Sequence, residues 1–286
     1  MAEERPSAWR RVFANPRACI GGGVVLLLVV AALFAPVLAP HDPLEQDLIN
    51  QYQQPFWSAG GDAVFPLGTD NLGRDILSRL IHGSRIALIV AFAAAISAGF
   101  IGTVLGLVAG YFGGAWDVAI SRLVEIWMSF PAVLLAIVLV AVLGTGLHSV
   151  IIAIAVIDWT RFCRVVRAET MAQKQQDYVA TAVTIGLGRG AVLLREILPN
   201  VAPLLLVLLT LEMGIAVIVE AILSFVGLSV SSGAPTWGGL LQEGRLYVNQ
   251  APWLLVLPIL CIVATVLAFN ALGDGLKDAL DPALRR

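Results

Sequence analysis

Charge is what this chain has least of. Of its 286 residues, only 13% are Asp, Glu, Lys or Arg, whereas 58% are hydrophobic. A soluble domain carries roughly twice that charged share, ~25%. So little polar surface excludes an ordinary soluble enzyme, a disordered chain and a nucleic-acid binder resting on a basic patch. Cysteine is scarce as well: Cys19, Cys163 and Cys261 lie far apart, in or beside apolar runs. With no CxxC spacing and an odd count, they fit neither a disulfide framework nor a zinc site, and read as small buried apolar residues. Catalytic signatures are missing too. There is no GxxxxGK[ST] phosphate loop, no HExxH and no GxSxG, and His41, His82 and His148 are too dispersed to ligate a metal by local spacing. Gly186-Leu187-Gly188-Arg189-Gly190 is glycine-rich, but no strand precedes it, so it is no dinucleotide fingerprint. The expectation is a non-catalytic chain with no cofactor or metal of its own.

What is abundant is apolar sequence in long runs. Crossing a ~30 Å hydrocarbon layer as helix takes about 20 apolar residues. Six segments qualify, at about 20–39, 86–110, 118–142, 147–167, 203–226 and 253–272. The chain therefore reads as an all-α membrane protein with six transmembrane helices. Basic residues set its direction. With the N-terminus cytoplasmic, Arg5, Arg10, Arg11, Arg17, Arg122, Arg161, Arg164, Arg167, Lys174, Arg189, Arg195, Lys277, Arg285 and Arg286 fall inside, 14 of the 18 Lys and Arg residues. Only Arg74, Arg79, Arg85 and Arg245 fall outside. Both termini are then cytoplasmic in a multi-pass protein. The competing reading of residues 1–39 as a cleaved signal peptide is disfavoured, because its apolar run is about 20 residues instead of 7–15. The chain divides into an N-terminal arm (1–19), a first span with an outward-facing segment (20–85), and a five-helix core (86–286) containing a cytoplasmic loop at 168–202.

Ala94, Ala98, Gly102, Gly106 and Gly110 recur at four-residue spacing on one face of the second span. Such a groove admits another helix closely, either within the bundle or from a second membrane subunit. Ionisable residues inside spans are costly and so point to function or pairing. Glu125 lies in the third span. Asp158 is in the fourth, three residues before Arg161, and the two form an ion pair at helical spacing or border a pathway. Glu212 and Glu220, in the fifth, have no basic neighbour in their own span, which favours a water-filled path over a structural role. Arg74, Asp75 and Arg79 read as a short amphipathic helix, paired within itself, ahead of span two. Trp237, Tyr247 and Trp253 suit a membrane-interface belt, and the Gly and Pro around Trp237 suit a re-entrant turn near an outer gate.

The 168–202 loop carries two helix-forming stretches, 168–183 and 189–198. Gly186 and Gly188 lie between them, and Pro199 is expected to end the second. Two short helices on the cytoplasmic side make either a solvated hairpin or a knob that seats in another protein. This loop resembles the cytoplasmic coupling motif of binding-protein-dependent ABC importer permeases. Other stretches resemble the C-type permease subunit of the dipeptide/oligopeptide/nickel branch. They are Pro66-Leu67-Gly68-Thr69-Asp70 with Gly73-Arg74-Asp75 and Ser78-Arg79, Gly110 to Gly114 with Asp117, Glu220 to Leu228, Pro235-Thr236-Trp237-Gly238 and Phe269 to Pro282. At position 180, where the family usually has Glu, this chain has Ala, and Thr181 replaces Ala.

That resemblance implies a type I importer permease fold in a bacterial inner membrane. It implies a heterodimer with a second homologous permease, two ATPase subunits that bind the ATP and Mg, and an extracytoplasmic substrate-binding protein. The cargo it implies is short peptides, with nickel complexes, glutathione-like thiols, opines or haem as alternatives. The ATPase-coupling residues would be Tyr178, Ala180, Ala182, Gly186, Arg189, Leu198 and Pro199. Asp158, Glu212, Glu220 and Trp237 are candidates for the pathway or gate. A different class of function, a self-sufficient secondary transporter or channel, would use Asp158, Glu212 and Glu220 to carry ions. The absence of an evident inverted repeat counts against it.

Overall fold

Local chemistry starts the first helix cleanly. Asn15 Oδ1 accepts the backbone N–H groups of Arg17 and Ala18, and Pro16, which has no N–H to satisfy, takes the first helical position. In the computed structural model, which describes residues 12–230 and 233–280, this helix is α1, Pro16–Leu33. Arg5, Arg10, Arg11, Arg285, Arg286 and the Asp281-Pro282 end of the tail motif lie outside the described residues. The remaining helices of eight or more residues are α2 (Ile76–Phe112), α3 (Gly114–Met128), α4 (Ala132–Leu143), α5 (Leu147–Lys174), α6 (Asp177–Thr184), α7 (Arg189–Phe225), α8 (Trp237–Gly244) and α9 (Trp253–Leu280). The described residues form no strand.

Four of these helices, α1, α2, α7 and α9, are long and apolar enough to cross a membrane, and the α3–α4 pair makes a fifth if its bent halves count as one. The 118–142 run is not a straight span. It folds through 88° between Met128 and Ala132. Pro131 interrupts the helix here, since proline lacks the N–H for helical bonding and pushes the preceding Phe130 away from α geometry. Helix α5 has the length, about 42 Å at 1.5 Å per residue, but Asp158, Arg161, Arg164 and Arg167 interrupt its apolar character.

Two further expectations need correction. The separate amphipathic helix before span two is instead the first turns of α2, which runs unbroken for 37 residues. Asp75 is its N-cap, accepting the Ser78 N–H at 2.8 Å, and nothing in residues 76–85 breaks helical bonding. Pro199 likewise does not end a helix. The chain passes through a π-helical stretch, Val192–Ile197, with the Leu198 N–H bonded to the Leu193 carbonyl, and continues as α7. The wider π turn absorbs the missing N–H of Pro199, which sits at the start of the regular helical segment.

The small-residue stripe of α2 packs within the bundle, against α5. A Cβ on Gly106 would lie 2.8 Å from both the Cys163 carbonyl and Val166 Cβ, and one on Gly110 would lie 2.7 Å from Thr170 Cβ. Only residues without side chains let the backbones come so near, and van der Waals packing is the main attraction between helices in lipid. Trp159, Phe162 and Cys163 fill the seam from α5, all buried. Beyond the first span, residues 40–75 form an irregular connecting segment with one 3₁₀ turn, Leu48–Asn50. Tyr52 meets Tyr247 at 5.3 Å between ring centroids, and Trp253 Nε1–H donates to the Thr69 carbonyl at 3.4 Å. Tyr247 and Trp253 therefore pin this connecting segment to the bundle.

Candidate functional site

At one end of the bundle, α5 runs past the seam and stops at Gln175. Helix α6 then turns back and seats Val179 and Ala182 on Val192 and Ile197 of α7. The turn that follows is closed by its own backbone. Gly186 adopts φ +88°, its N–H bonds the Val183 carbonyl at 3.0 Å, and the Leu187 N–H bonds the Ala182 carbonyl at 3.1 Å. This pair of bonds is the Schellman arrangement, which calls for glycine because a side chain is strained at positive φ. Tyr178 donates its hydroxyl to Gln173 Oε1 at 2.7 Å and accepts from Asn200 Nδ2 at 3.3 Å, tying α6 to both flanking helices. Burial raises the Tyr178 phenol above its ordinary range, with the Asn200 bond pulling the other way.

Around this braced turn, Ala180, Thr181, Gly186 and Arg189 are exposed, as are the apolar Val183, Ile185 and Leu194. Ile185 is 71% exposed. The structure thus divides the expected loop residues. Tyr178, Ala182 and Leu198 hold the knob together from within, whereas Ala180, Gly186, Arg189 and Pro199 lie on its surface. Below the knob, Arg167 grips Asp117 through a two-point ion pair, and Lys174 Nζ donates to the Tyr111 carbonyl at 2.7 Å. These contacts join α5, α3 and α2 at the knob end of the bundle.

Midway along α5, Arg161 bridges two buried carboxylates. Its Nη1 lies 3.2 Å from Glu212 Oε2, and its Nε lies 4.0 Å from Asp158 Oδ1. The expected Asp158–Arg161 pair is thus the weaker half of a triad whose third member comes from α7. Glu212 has its cation after all, supplied by another helix. A cavity of about 240 Å³ opens beside Asp158 and Arg161, walled by the α3–α4 bend at Trp127, Phe130 and Ala132. Glu220 sits elsewhere. Its Oε1 accepts from Ser224 Oγ at 2.6 Å and Ser229 Oγ at 3.1 Å, with no charged partner among the described residues. Glu125 belongs to neither group, forming an exposed pair with Arg122 at 2.7 Å.

At the far end, Trp237 is 1% exposed. Its Nε1–H donates to the Leu80 carbonyl at 3.0 Å, and its ring fills the space above Gly83. It does not stand in an interfacial belt. Arg74 and Arg79 do not pair within one helix either. Arg74 Nε donates to Asp70 Oδ2 at 2.7 Å, Arg79 Nη1 bonds the same oxygen, and both guanidiniums reach Glu243 of α8. No motif in the sequence announces Glu243, since its partners lie 164 and 169 residues away.

The geometry can be set beside known proteins. Residues 102–286 match the family model described as binding-protein-dependent transport system inner membrane component. The chain belongs to that family. Residues 7–55 also match the N-terminal transmembrane domain of oligopeptide transport permease C. A di/tripeptide transport system permease protein, DppC, of Pseudomonas aeruginosa is 42% identical, aligned over 96% of this chain and 90% of its own length. A glutathione transport system permease protein, GsiD, of Escherichia coli is also 42% identical, over 97% and 90%. In fold, the chain is similar to the MetNI methionine ABC transporter in an inward-facing conformation, with TM-score 0.59, 18% identity, and coverage of 71% of this chain and 97% of that one. The permease is thus a multi-pass inner-membrane protein and a component of a binding-protein-dependent transport system.

Proposed function

We propose that this permease forms half of the translocation pathway of an ATP-driven importer of short peptides, small thiol tripeptides such as glutathione included. In this reading six helical passes, α5 and the bent α3–α4 pair among them, place both termini and the α6 knob on the cytoplasmic side. A second, homologous permease completes the pathway. Two ATPase subunits bind ATP and Mg, and an extracytoplasmic binding protein delivers the substrate. This chain itself performs no chemistry.

The observation that carries the proposal is the knob. The helix and the Schellman turn that closes it present Ala180, Val183 and Ile185 outward, beside Arg189 at the start of α7, while the inner face of the helix is fastened to α5 and α7. Force applied at such a surface passes directly into two long helices, because packed interiors shift as units and do not deform smoothly. The cargo follows from relatives of equal identity that carry di/tripeptide and glutathione names. An ion-carrying transporter is less well supported. Asp158 and Glu212 share Arg161, so neither is a free carboxylate awaiting a proton or cation.

The test is a charged replacement at Gly186, where no atom lies within 4 Å of the Cβ position and only the backbone is strained. In a reconstituted complex, Gly186→Asp should leave assembly intact and abolish substrate-stimulated ATP hydrolysis. Unchanged stimulation would overturn the lever role of the knob.

A further inference from the structure

Helix α8 is held in two different ways. Toward α7 and α9 its backbone makes close contact: a Cβ on Gly238 would meet Ser224 Cβ at 2.5 Å, and one on Gly244 would lie 2.8 Å from the Leu254 carbonyl carbon. Toward α2 the strongest fastenings are polar. Trp237 bonds Leu80 at one end, and Glu243 meets Arg74 and Arg79 at the other. Glu243 accepts four hydrogen bonds, from Arg79 Nη1 (2.7 Å) and Nη2 (3.1 Å) and from Arg74 Nη2 (3.0 and 3.1 Å). Beside this clasp lies a polar cavity of about 360 Å³, lined by Arg79, Ser224, Ser229, Thr236, Gln242 and Glu243 among others.

The two carboxylates of the cluster are not equivalent. The Asp70 side chain is fully buried, and its Oδ1 also accepts the N–H groups of Leu72 (2.8 Å) and Arg74 (3.0 Å) in its own turn. It is built into the N-terminal approach to α2. The Glu243 side chain is 29% exposed, comes from a separate helix and borders the cavity. If α8 moves away, Asp70 stays with both guanidiniums, while Glu243 passes into water that already reaches it. On opening, each guanidinium keeps a bond to Asp70 and Glu243 is hydrated, so neither arginine is stripped of every partner; the two cations then share one carboxylate, and that cost is what holds the clasp shut until it is driven open.

We infer that Glu243 is a positioning residue: it clasps α8 onto the outer end of α2, keeping the wall of the outer cavity shut until the ATP-driven change of state releases it. This rests on the importer reading and its orientation. Helix α2 suits the role, because it is continuous from Arg79 to the cytoplasmic contacts of Tyr111 with Lys174.

The experiment uses the complete reconstituted complex, with Cys19, the exposed thiol, replaced by Ser. The cavity-lining Ser229, 3% exposed, is replaced by Cys as the reporter. A membrane-impermeant maleimide is applied from the binding-protein side, with and without ATP and vanadate, while basal and stimulated hydrolysis are measured. In this parent, trapping should raise the labelling rate. With Glu243→Gln added, labelling without nucleotide should already be raised on the order of tenfold, the shift expected for losing one charge-assisted hydrogen bond. The same variant should lose most of the nucleotide dependence of labelling, and Glu243→Asp should restore it in part. Low, parent-like labelling in an assembled Glu243→Gln complex overturns the clasp. Should that variant fail to assemble, Arg74→Gln, which keeps the two-point Arg79–Glu243 pair, decides: raised labelling supports the clasp and unchanged labelling overturns it. A parent complex without binding-protein-stimulated hydrolysis overturns the importer reading and the clasp with it. Normal stimulation with a nucleotide-insensitive cavity overturns the clasp alone.

Discussion

Gly106 offers a direct measure of how much the α2–α5 seam contributes. Replacing it by Ala places a methyl group 2.8 Å from the Cys163 carbonyl, 2.8 Å from Val166 Cβ and 3.0 Å from Val166 Cγ1. Two of those atoms cannot rotate away, so the helices themselves must part, by about 0.6 Å to regain ordinary contact. A gap of ~0.5–1 Å forfeits about a quarter to a half of the dispersion energy of each affected atom pair. Overpacking of this kind costs about 1–3 kcal/mol. The same substitution also favours helix by up to ~1 kcal/mol, which would mask part of the effect. Gly23→Ala on α1 supplies the correction, since it makes the same backbone change with nothing within 4 Å. The difference between the two variants isolates the clash. For a chain of this size, 1 kcal/mol moves a melting temperature by about 2–4 °C, so Gly106→Ala should melt about 2–12 °C below Gly23→Ala. Thermal unfolding in detergent, followed by a thiol-reactive dye that reads the buried Cys163, makes the measurement in a background carrying Cys19→Ser and Cys261→Ser. Equal melting temperatures would refute close backbone packing as the basis of this seam.

Three other substitutions bear on the site. Arg161→Gln removes the cation shared by Asp158 and Glu212 and should destabilise by about 1–3 kcal/mol, less than for a fully buried pair because Arg161 is 40% exposed. Glu212→Gln should cost less, since Arg161 keeps Asp158, and the two melting temperatures check that order. Trp237→Phe removes the bond to Leu80 and should cost about 1–3 kcal/mol. The indole also covers Gly83, where the methyl group of an alanine would lie 2.8 Å from the ring. Gly83→Ala combined with Trp237→Phe should therefore fall short of additive by about 0.5 kcal/mol or more. Ala180→Glu returns to an exposed position the carboxylate usual in the family. It should change stability by less than about 0.5 kcal/mol and raise stimulated hydrolysis in the reconstituted complex; a fall in hydrolysis would show that docking here has adapted to its absence.

Some of these features were legible before any coordinates. Runs of apolar residues, the glycine between two helix-forming stretches at 186, and the four-residue stripe on α2 are local patterns, and each maps onto the structure near its expected place. Misreadings arose where a local rule met tertiary support. Pro199 reads as a helix stop, yet a π turn and packing of Val192, Ile197 and Val201 carry the helix through it. Arg74, Asp75 and Arg79 read as one amphipathic cluster. Asp75 is in fact spent on the N-cap, and the arginines turn to Asp70 and Glu243.

By itself the sequence determined the membrane class, the charge asymmetry and the glycine turn at 186, because composition, period and turn chemistry act over a few residues. Tertiary structure alone decided which helix fills the small-residue groove, which cation neutralises Glu212, and which carboxylate meets Arg79. Those partners lie 51 and 164 residues apart for the two ion pairs. Their meeting depends on how whole helices pack, and the 88° bend at Pro131 is an angle that proline permits but only packing sets.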